Sequence, residues 1–193
     1  MVTAILESDH VTLPKGRYTY EDYLQLPNDG KRYEIIEGVL YVANAPSFQH
    51  QYTVHQLDRQ IGNFVNEQQL GYVIPAPFEV HLSALSRPVQ PNITFIRVER
   101  INAPSLQIFE GAPDLIVEVL SPESIRRDRV IKFTAYEAVG VTEYWIANPN
   151  ARTVEVYLLA RGEYVTLGEF KNAETIQSQV LAGIEIVTNS LFT

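Results

Sequence analysis

The hydrophobic pattern of this chain is densest in one stretch, Gly111-Ala112-Pro113-Asp114-Leu115-Ile116-Val117-Glu118-Val119-Leu120-Ser121-Pro122. Five of the six residues from Leu115 to Leu120 are large aliphatics, opened by a Gly-Ala-Pro turn and closed by Ser-Pro. That is the composition of a central strand covered on both faces. Strand side chains alternate, so Asp114, Ile116, Glu118 and Leu120 share one face, while Leu115, Val117 and Val119 share a wholly apolar one. A carboxylate within such a strand is costly unless it meets a cation, a proton or a metal ion. The face that carries Glu118 is expected to open onto a site or an ion-pair network.

The remaining periodicities predict elements on either side. Thr19 is placed to cap a short helix over Tyr20–Leu26, with Asp22 three positions later as a near capping box. After the turn signal Pro27-Asn28-Asp29-Gly30, alternation over Arg32–Ala43 predicts a hairpin that turns at Glu37-Gly38. Val54, Leu57, Ile61, Phe64 and Val65 recur at helical spacing, which predicts a long helix from Phe48 to about Gln69, ended by Gly71. Strands are expected at Tyr72–Ile74, Phe78–Leu82 and Ile93–Arg97, then a loop over Asn102–Gly111. A second helix is expected from Glu123 or Ser124 to Val139, with Gly140 as its stop. A strand at Glu143–Ala147, a hairpin of Thr153–Leu159 with Glu163–Leu167, and a last short strand at Gly183–Val187 complete the chain. This order predicts one α/β domain over residues 17–193, a mixed central sheet flanked by helices, with an N-terminal and a C-terminal β-hairpin. Residues 1–16 read as a flexible arm.

Composition narrows the function. The chain has 193 residues, is 46% hydrophobic and 20% charged, and carries a net charge of −8, values of an ordinary globular domain with a real core. The acidic balance argues against broad electrostatic capture of nucleic acid and leaves room for a local basic patch. Without cysteine, disulfides and Cys-based zinc sites are excluded. The N-terminus carries Glu7 and Asp9, no signal peptide is expected, and no run approaches the ~18 apolar residues of a membrane helix. A cytoplasmic location is expected.

Several residues are candidates for chemistry. Lys132 lies fourteen positions after Glu118 on the helix that follows the strand, so it can return to that face. Asp128, Lys132 and Tyr136 fall at i, i+4 and i+8 along one side of the helix. By pattern alone, Asp128 and Lys132 are more simply a routine surface pair worth a few tenths of a kcal/mol. Arg126, Arg127 and Arg129 form the most basic spot in the chain, either a solvated face or a phosphate-binding rim. Asn92 follows Gln90-Pro91 at the start of a β-branched run, where a backbone-bonded turn is the plain reading. Glu34 alternates as a solvent-facing strand residue. His50 and His55 are five apart, which is not the i,i+4 spacing of a helical metal pair.

Taken together, Arg32-Tyr33-Glu34-Ile35-Ile36-Glu37-Gly38, Ala45-Pro46-Ser47 with His50, Val89-Gln90-Pro91-Asn92, the Gly111–Pro122 strand, Asp128 with Lys132, and Glu143-Tyr144-Trp145 resemble the Uma2 (DUF820) family. The resemblance spans roughly Tyr18 to Leu159. It implies a restriction-endonuclease-like PD-(D/E)xK fold and a Mg²⁺- or Mn²⁺-dependent endonuclease acting on DNA. Glu118 and position 92 would hold the metal, Lys132 would orient the attacking water or stabilise charge on phosphate, and Glu34 would add a carboxylate. Arg126, Arg127 and Arg129 would contact DNA. Leu120 occupies the lysine position of Glu-x-Lys, which in this family moves to the next helix, at Lys132. Position 92 departs from the pattern: Asn stands where the family has Asp. Asn keeps a carbonyl oxygen and loses the charge, so the metal would be weakly held. The alternative implied is a catalytically inactive nuclease-fold protein that serves as a binding module, as a homodimer.

Overall fold

A six-stranded mixed sheet carries Glu118 at its centre. The computed structural model describes residues 17–101 and 107–193, with the backbone of Leu6–Glu7 and His10–Val11. Along the chain, β1 (Leu6–Glu7) and β2 (His10–Val11) precede α1 (Tyr20–Tyr23), β3 (Arg32–Ile36) and β4 (Val39–Ala43). The long helix α2 (Phe48–Glu67) leads to β5 (Gly71–Pro75), β6 (Glu79–His81), β7 (Ile93–Arg97), β8 (Ile108–Glu110) and β9 (Leu115–Val119). A π-helical segment, Arg127–Lys132, runs directly into α3 (Phe133–Val139). β10 (Glu143–Asn148), β11 (Thr153–Ala160) and β12 (Glu163–Lys171) follow.

The large sheet has the order β12-β11-β10-β9-β7-β5. Only β9 and β10 pair in parallel, because the helical segment between them carries the chain back to the same end of the sheet. β1, β2, β4 and β3 form a smaller antiparallel sheet, and β6 pairs with β8 in parallel. Both β-hairpins that the alternation predicts are present, β3–β4 and β11–β12, and β10 also turns back antiparallel onto β11.

All five residues of β9 are buried, and its two faces differ as expected. Leu115, Val117 and Val119 pack beneath Leu57, Ile61 and Val65 of α2 and a C-terminal segment that includes Ile176 and Leu181. Ile116 and Leu120 face Tyr136 of α3 and Ile36 and Tyr41 of the first hairpin. Glu118 sits among this second set. Asp114, at the other end of the same face, is bound by Arg97 and Arg100 and takes no part in the site.

Three expectations change. The helix after Ser121-Pro122 is not uniformly α-helical, because the π segment interrupts it. Part of the Asn102–Gly111 loop is β8; residues 102–106 lie outside the described residues. Gly183–Val187 forms no strand, only one bridge between Thr175 and Val187. The arm at 1–16 lies largely outside the described residues, but β1 and β2 extend the edge of β4. The Thr19 capping box is complete, yet it starts only one helical turn, too short to persist without packing.

The C-terminal segment is pinned by Glu143. Its buried carboxylate accepts from Trp145 Nε1 (2.7 Å), Ser178 Oγ (2.6 Å), and the Gln179 and Val180 amides (2.7 and 3.1 Å). Removing the acceptor strands several buried donors at once. Glu143→Ala is expected to destabilise the fold by on the order of 3 kcal/mol, read as a lower urea midpoint at unchanged slope.

Candidate active site

The register of β7 against β9 pairs Ile93 with Val117, so Asn92 stands opposite Glu118. The two residues clasp each other's strands. Asn92 N–H donates to Glu118 Oε2 (3.3 Å), and Val119 N–H donates to Asn92 Oδ1 (2.8 Å). One step upstream, Gln90 N–H donates to Glu34 Oε1 (2.7 Å) and Gln90 Nε2 to the Tyr33 carbonyl (3.2 Å). The extended run before and after Pro91 thus ties β3 to the central sheet. It carries Glu34 inward, to 1% exposure. The solvent-facing placement of Glu34 is therefore corrected: the strand alternates as expected, but its sheet docks on the larger one.

The π segment brings up the cation. Its i→i+5 bonding leaves residues four apart less than one turn apart, and Asp128, Lys132 and Tyr136 all turn inward, at 2%, 1% and 0% exposure. The surface pairing of Asp128 with Lys132 is therefore overturned. Lys132 Nζ contacts Glu118 Oε1 at 2.8 Å, Glu34 Oε1 at 2.9 Å and Asp128 Oδ1 at 4.0 Å. Tyr136 OH adds a second hydrogen bond to Glu118 Oε1 (2.8 Å).

Three carboxylates surround one ammonium, and Arg127 Nε adds a contact to Asp128 Oδ1 at 3.7 Å. Burial alone would push the Glu34 carboxyl up, but Lys132, Arg32 and Arg127 outweigh it and hold it near 2. Burial would lower Lys132, and Glu118, Glu34 and Asp128 raise it instead. Asp128 goes the other way: burial, then the Glu118 charge, lift it to about 6. Its Oδ1 and Glu34 Oε2 are buried without hydrogen-bond partners.

Glu118 and Asp128 line an open cleft of about 850 Å³, with Asn92, Arg32, His50 and Arg127 among its walls. Glu34 and Lys132 stand behind that wall. Of the three arginines singled out in sequence, Arg127 reaches the cleft, Arg126 is solvent-exposed, and Arg129 is held by both carboxylate oxygens of Glu155 on β11. Tyr136 and Arg32 are site residues to which sequence reasoning gave no role of their own. The i+8 position of Tyr136 after Asp128 was the available signal for the first, and Arg32 had none.

A divalent ion here would need oxygen lone pairs turned toward the cleft. Asn92 Oδ1 already accepts from Val119 N–H, the other side-chain atom is an NH₂ donor, and the amide brings no negative charge. Glu118 Oε1 already receives Lys132 and Tyr136. Among the described residues, no three His, Asp or Glu side chains come together in a metal-holding group. The donor set is one carboxylate short and does not fit a tightly held Mg²⁺ or Mn²⁺.

Two outcomes follow from the cluster. Lys132→Met leaves Glu34 and Glu118 buried without their cation, so it should cost about 3–5 kcal/mol in denaturant unfolding. Asp128 binds its proton more tightly folded than unfolded, so its contribution to stability falls as pH rises from about 4 through 6. The thermal midpoint of Asp128→Asn, minus that of the parent, should therefore become more positive across that window.

Comparison with known proteins agrees with this architecture. A solved structure from Anabaena variabilis, described as "a putative nuclease belonging to DUF820", matches with a TM-score of 0.77 at 21% identity. The match covers 90% of this chain and 96% of that one. The likeness establishes the restriction-endonuclease-like fold. No curated protein matches the sequence. No helix among the described residues is long and apolar enough to cross a membrane. The Uma2 family model, described as "Putative restriction endonuclease", matches residues 20–189, a span that holds Glu34, Asn92, Glu118 and Lys132; the chain belongs to the Uma2 family.

Proposed function

We propose that the cleft is a DNA phosphodiester site of the endonuclease type, hydrolytic in design and impaired at Asn92. The observation that carries this reading is the buried Lys132, which bridges Glu34 and Glu118 directly behind the cleft wall. A structural ion pair needs one carboxylate, whereas this ammonium holds two and faces a third. Such clustering of perturbed groups beside an open cleft is the pattern of a functional site.

Each residue has a part that the geometry supports. Glu118 presents its carboxylate at the wall. Lys132 and Tyr136 fix its orientation, and Glu34 is held through Lys132 and the Gln90 amide. Asn92 offers a side-chain NH₂ where the family pattern has a carboxylate, and a phosphate oxygen is the natural acceptor for it. Arg127 and Arg32, with Lys31, supply local positive charge at the cleft of a chain that is acidic overall. With a carboxylate at position 92 beside Glu118, a divalent ion would be held there and would supply charge neutralisation and activation of water. Asn92 removes one of the carboxylates that would retain it. The second reading, DNA binding without cleavage, is favoured by Asn92, which brings no negative charge and whose Oδ1 already accepts from Val119 N–H.

Plasmid cleavage in Mg²⁺ and in Mn²⁺ tests both readings, with this chain beside Asn92→Asp and Glu118→Ala. Asn92→Asp should cut at least about tenfold faster than the parent, since even indirect changes at metal ligands are worth 10–100-fold. Glu118→Ala should not cut. Cleavage by Asn92→Asp alone supports the binding reading for the chain as it stands. Cleavage by the parent, lost in Glu118→Ala, supports a working enzyme. Silence from all three overturns the phosphodiester reading.

A further inference from the structure

The N-terminal turn of α2 opens onto the same cleft. Ser47, His50 and Gln51 line it. Ser47 Oγ caps the helix by accepting from His50 N–H (3.3 Å), and no acidic side chain stands in the first turn. The Phe48 and Gln49 amides, which no helical carbonyl can reach, are left for another acceptor. Their 20-residue helix adds the positive end of its dipole.

Two side chains beside this turn each carry a buried polar atom without a hydrogen-bond partner. His50 is 7% exposed, and its Nδ1 meets no hydrogen-bond partner. Arg32 opens β3 across the cleft. Its Nε is buried without a partner, and its guanidinium makes no hydrogen bond or ion pair with any described residue. Arg32 is close enough to act electrostatically on both Glu34 and His50. Donors therefore converge on one corner of the cleft, and the carboxylates of Glu34 and Glu118 are already committed to Lys132.

We propose that Arg32, His50 and the N-terminal turn of α2 form a phosphate subsite that seats a phosphoryl group of a nucleic-acid strand whose next group reaches Glu118. The proposal rests on the nucleic-acid reading of the cleft and adds where the strand is gripped. A guanidinium fork matches two phosphate oxygens, and helix-terminal amides take a third. The unpartnered His50 Nδ1 donates to a phosphate oxygen in the tautomer that places the ring proton there. The grip needs no metal ion, so it is independent of the charge lost at position 92.

Inorganic phosphate titrated into the full chain in EDTA tests the subsite, with amide NMR shifts as the readout. Saturable shifts at Phe48, Gln49 and His50 are expected, with acetate much weaker. Arg32→Ala should weaken phosphate binding at least about tenfold, and Arg32→Lys should retain part of it, since the charge stays and the fork is lost. Arg59→Ala, on the exposed side of α2, removes the same charge and should change nothing. Labelled single strands with and without a 5′-phosphate then separate the sources. A loss in Arg32→Ala that is equal for both strands assigns an internal diester, and a loss confined to the phosphorylated strand assigns a terminal group. Absence of saturable phosphate binding, or equal effects of Arg32→Ala and Arg59→Ala, overturns the proposal. Cleavage by Asn92→Asp without phosphate binding overturns the subsite and leaves the phosphodiester reading standing. Phosphate binding in a set of variants that never cuts does the reverse.

Discussion

The structure depends on one buried ammonium. Lys132 lies between Glu34 from the small sheet and Glu118 from the large one, with Asp128 from its own helical segment alongside. A charge so placed requires partners in fixed positions, since an unpaired ion in the interior costs several kcal/mol. The requirement runs through the fold. It fixes how the first hairpin docks, how the π segment is turned, and which face of β9 meets α3. Hydrophobic packing on the opposite face is less exacting, because aliphatic side chains of similar volume can replace one another. Buried pairs of this kind contribute little net stability, and here the cluster serves arrangement more than cohesion.

Asn92 shows how charge and architecture separate. The side chain is nearly isosteric with Asp, and its Oδ1 holds the Val119 amide as a carboxylate oxygen would. Its backbone N–H, which is independent of the side chain, still reaches Glu118. The strands remain clasped while the electrostatic character of the cleft changes. The substitution thus alters the charge of the cleft and leaves the backbone arrangement as it is.

Much of this was legible in the sequence because it is local. The alternation of β9, the Arg32–Ala43 and Thr153–Leu167 hairpins and the heptad-like spacing of α2 depend on neighbours within a few residues. Glu118 stood out because a carboxylate contradicts its apolar surroundings, and Lys132 because the chain returns to the same face. Glu34 was misplaced for the opposite reason. Its immediate neighbours make a normal amphipathic strand, and only the docking of a second sheet buries it. The π segment left no trace in spacing, since i, i+4 and i+8 suit either helix. β8 was missed because three residues that pair in parallel with a distant three carry no pattern of their own. Glu143 belongs to a short local motif, but its clamp on the C-terminal segment depends on Ser178 and amides far beyond it in the chain.

The two salt bridges of Lys132 differ in how far the chain must travel to make them. Glu118 is fourteen residues away, within one strand-and-helix unit. Glu34 is ninety-eight residues away and arrives only when the first hairpin closes on the sheet. By loop-closure entropy, the longer contact costs about 2 kcal/mol more to bring together. The C-terminal two-thirds of the chain can therefore assemble its half of the charge cluster as a short-range event. The N-terminal hairpin closes it as a long-range one, and the two halves meet at Lys132, behind the wall of the cleft.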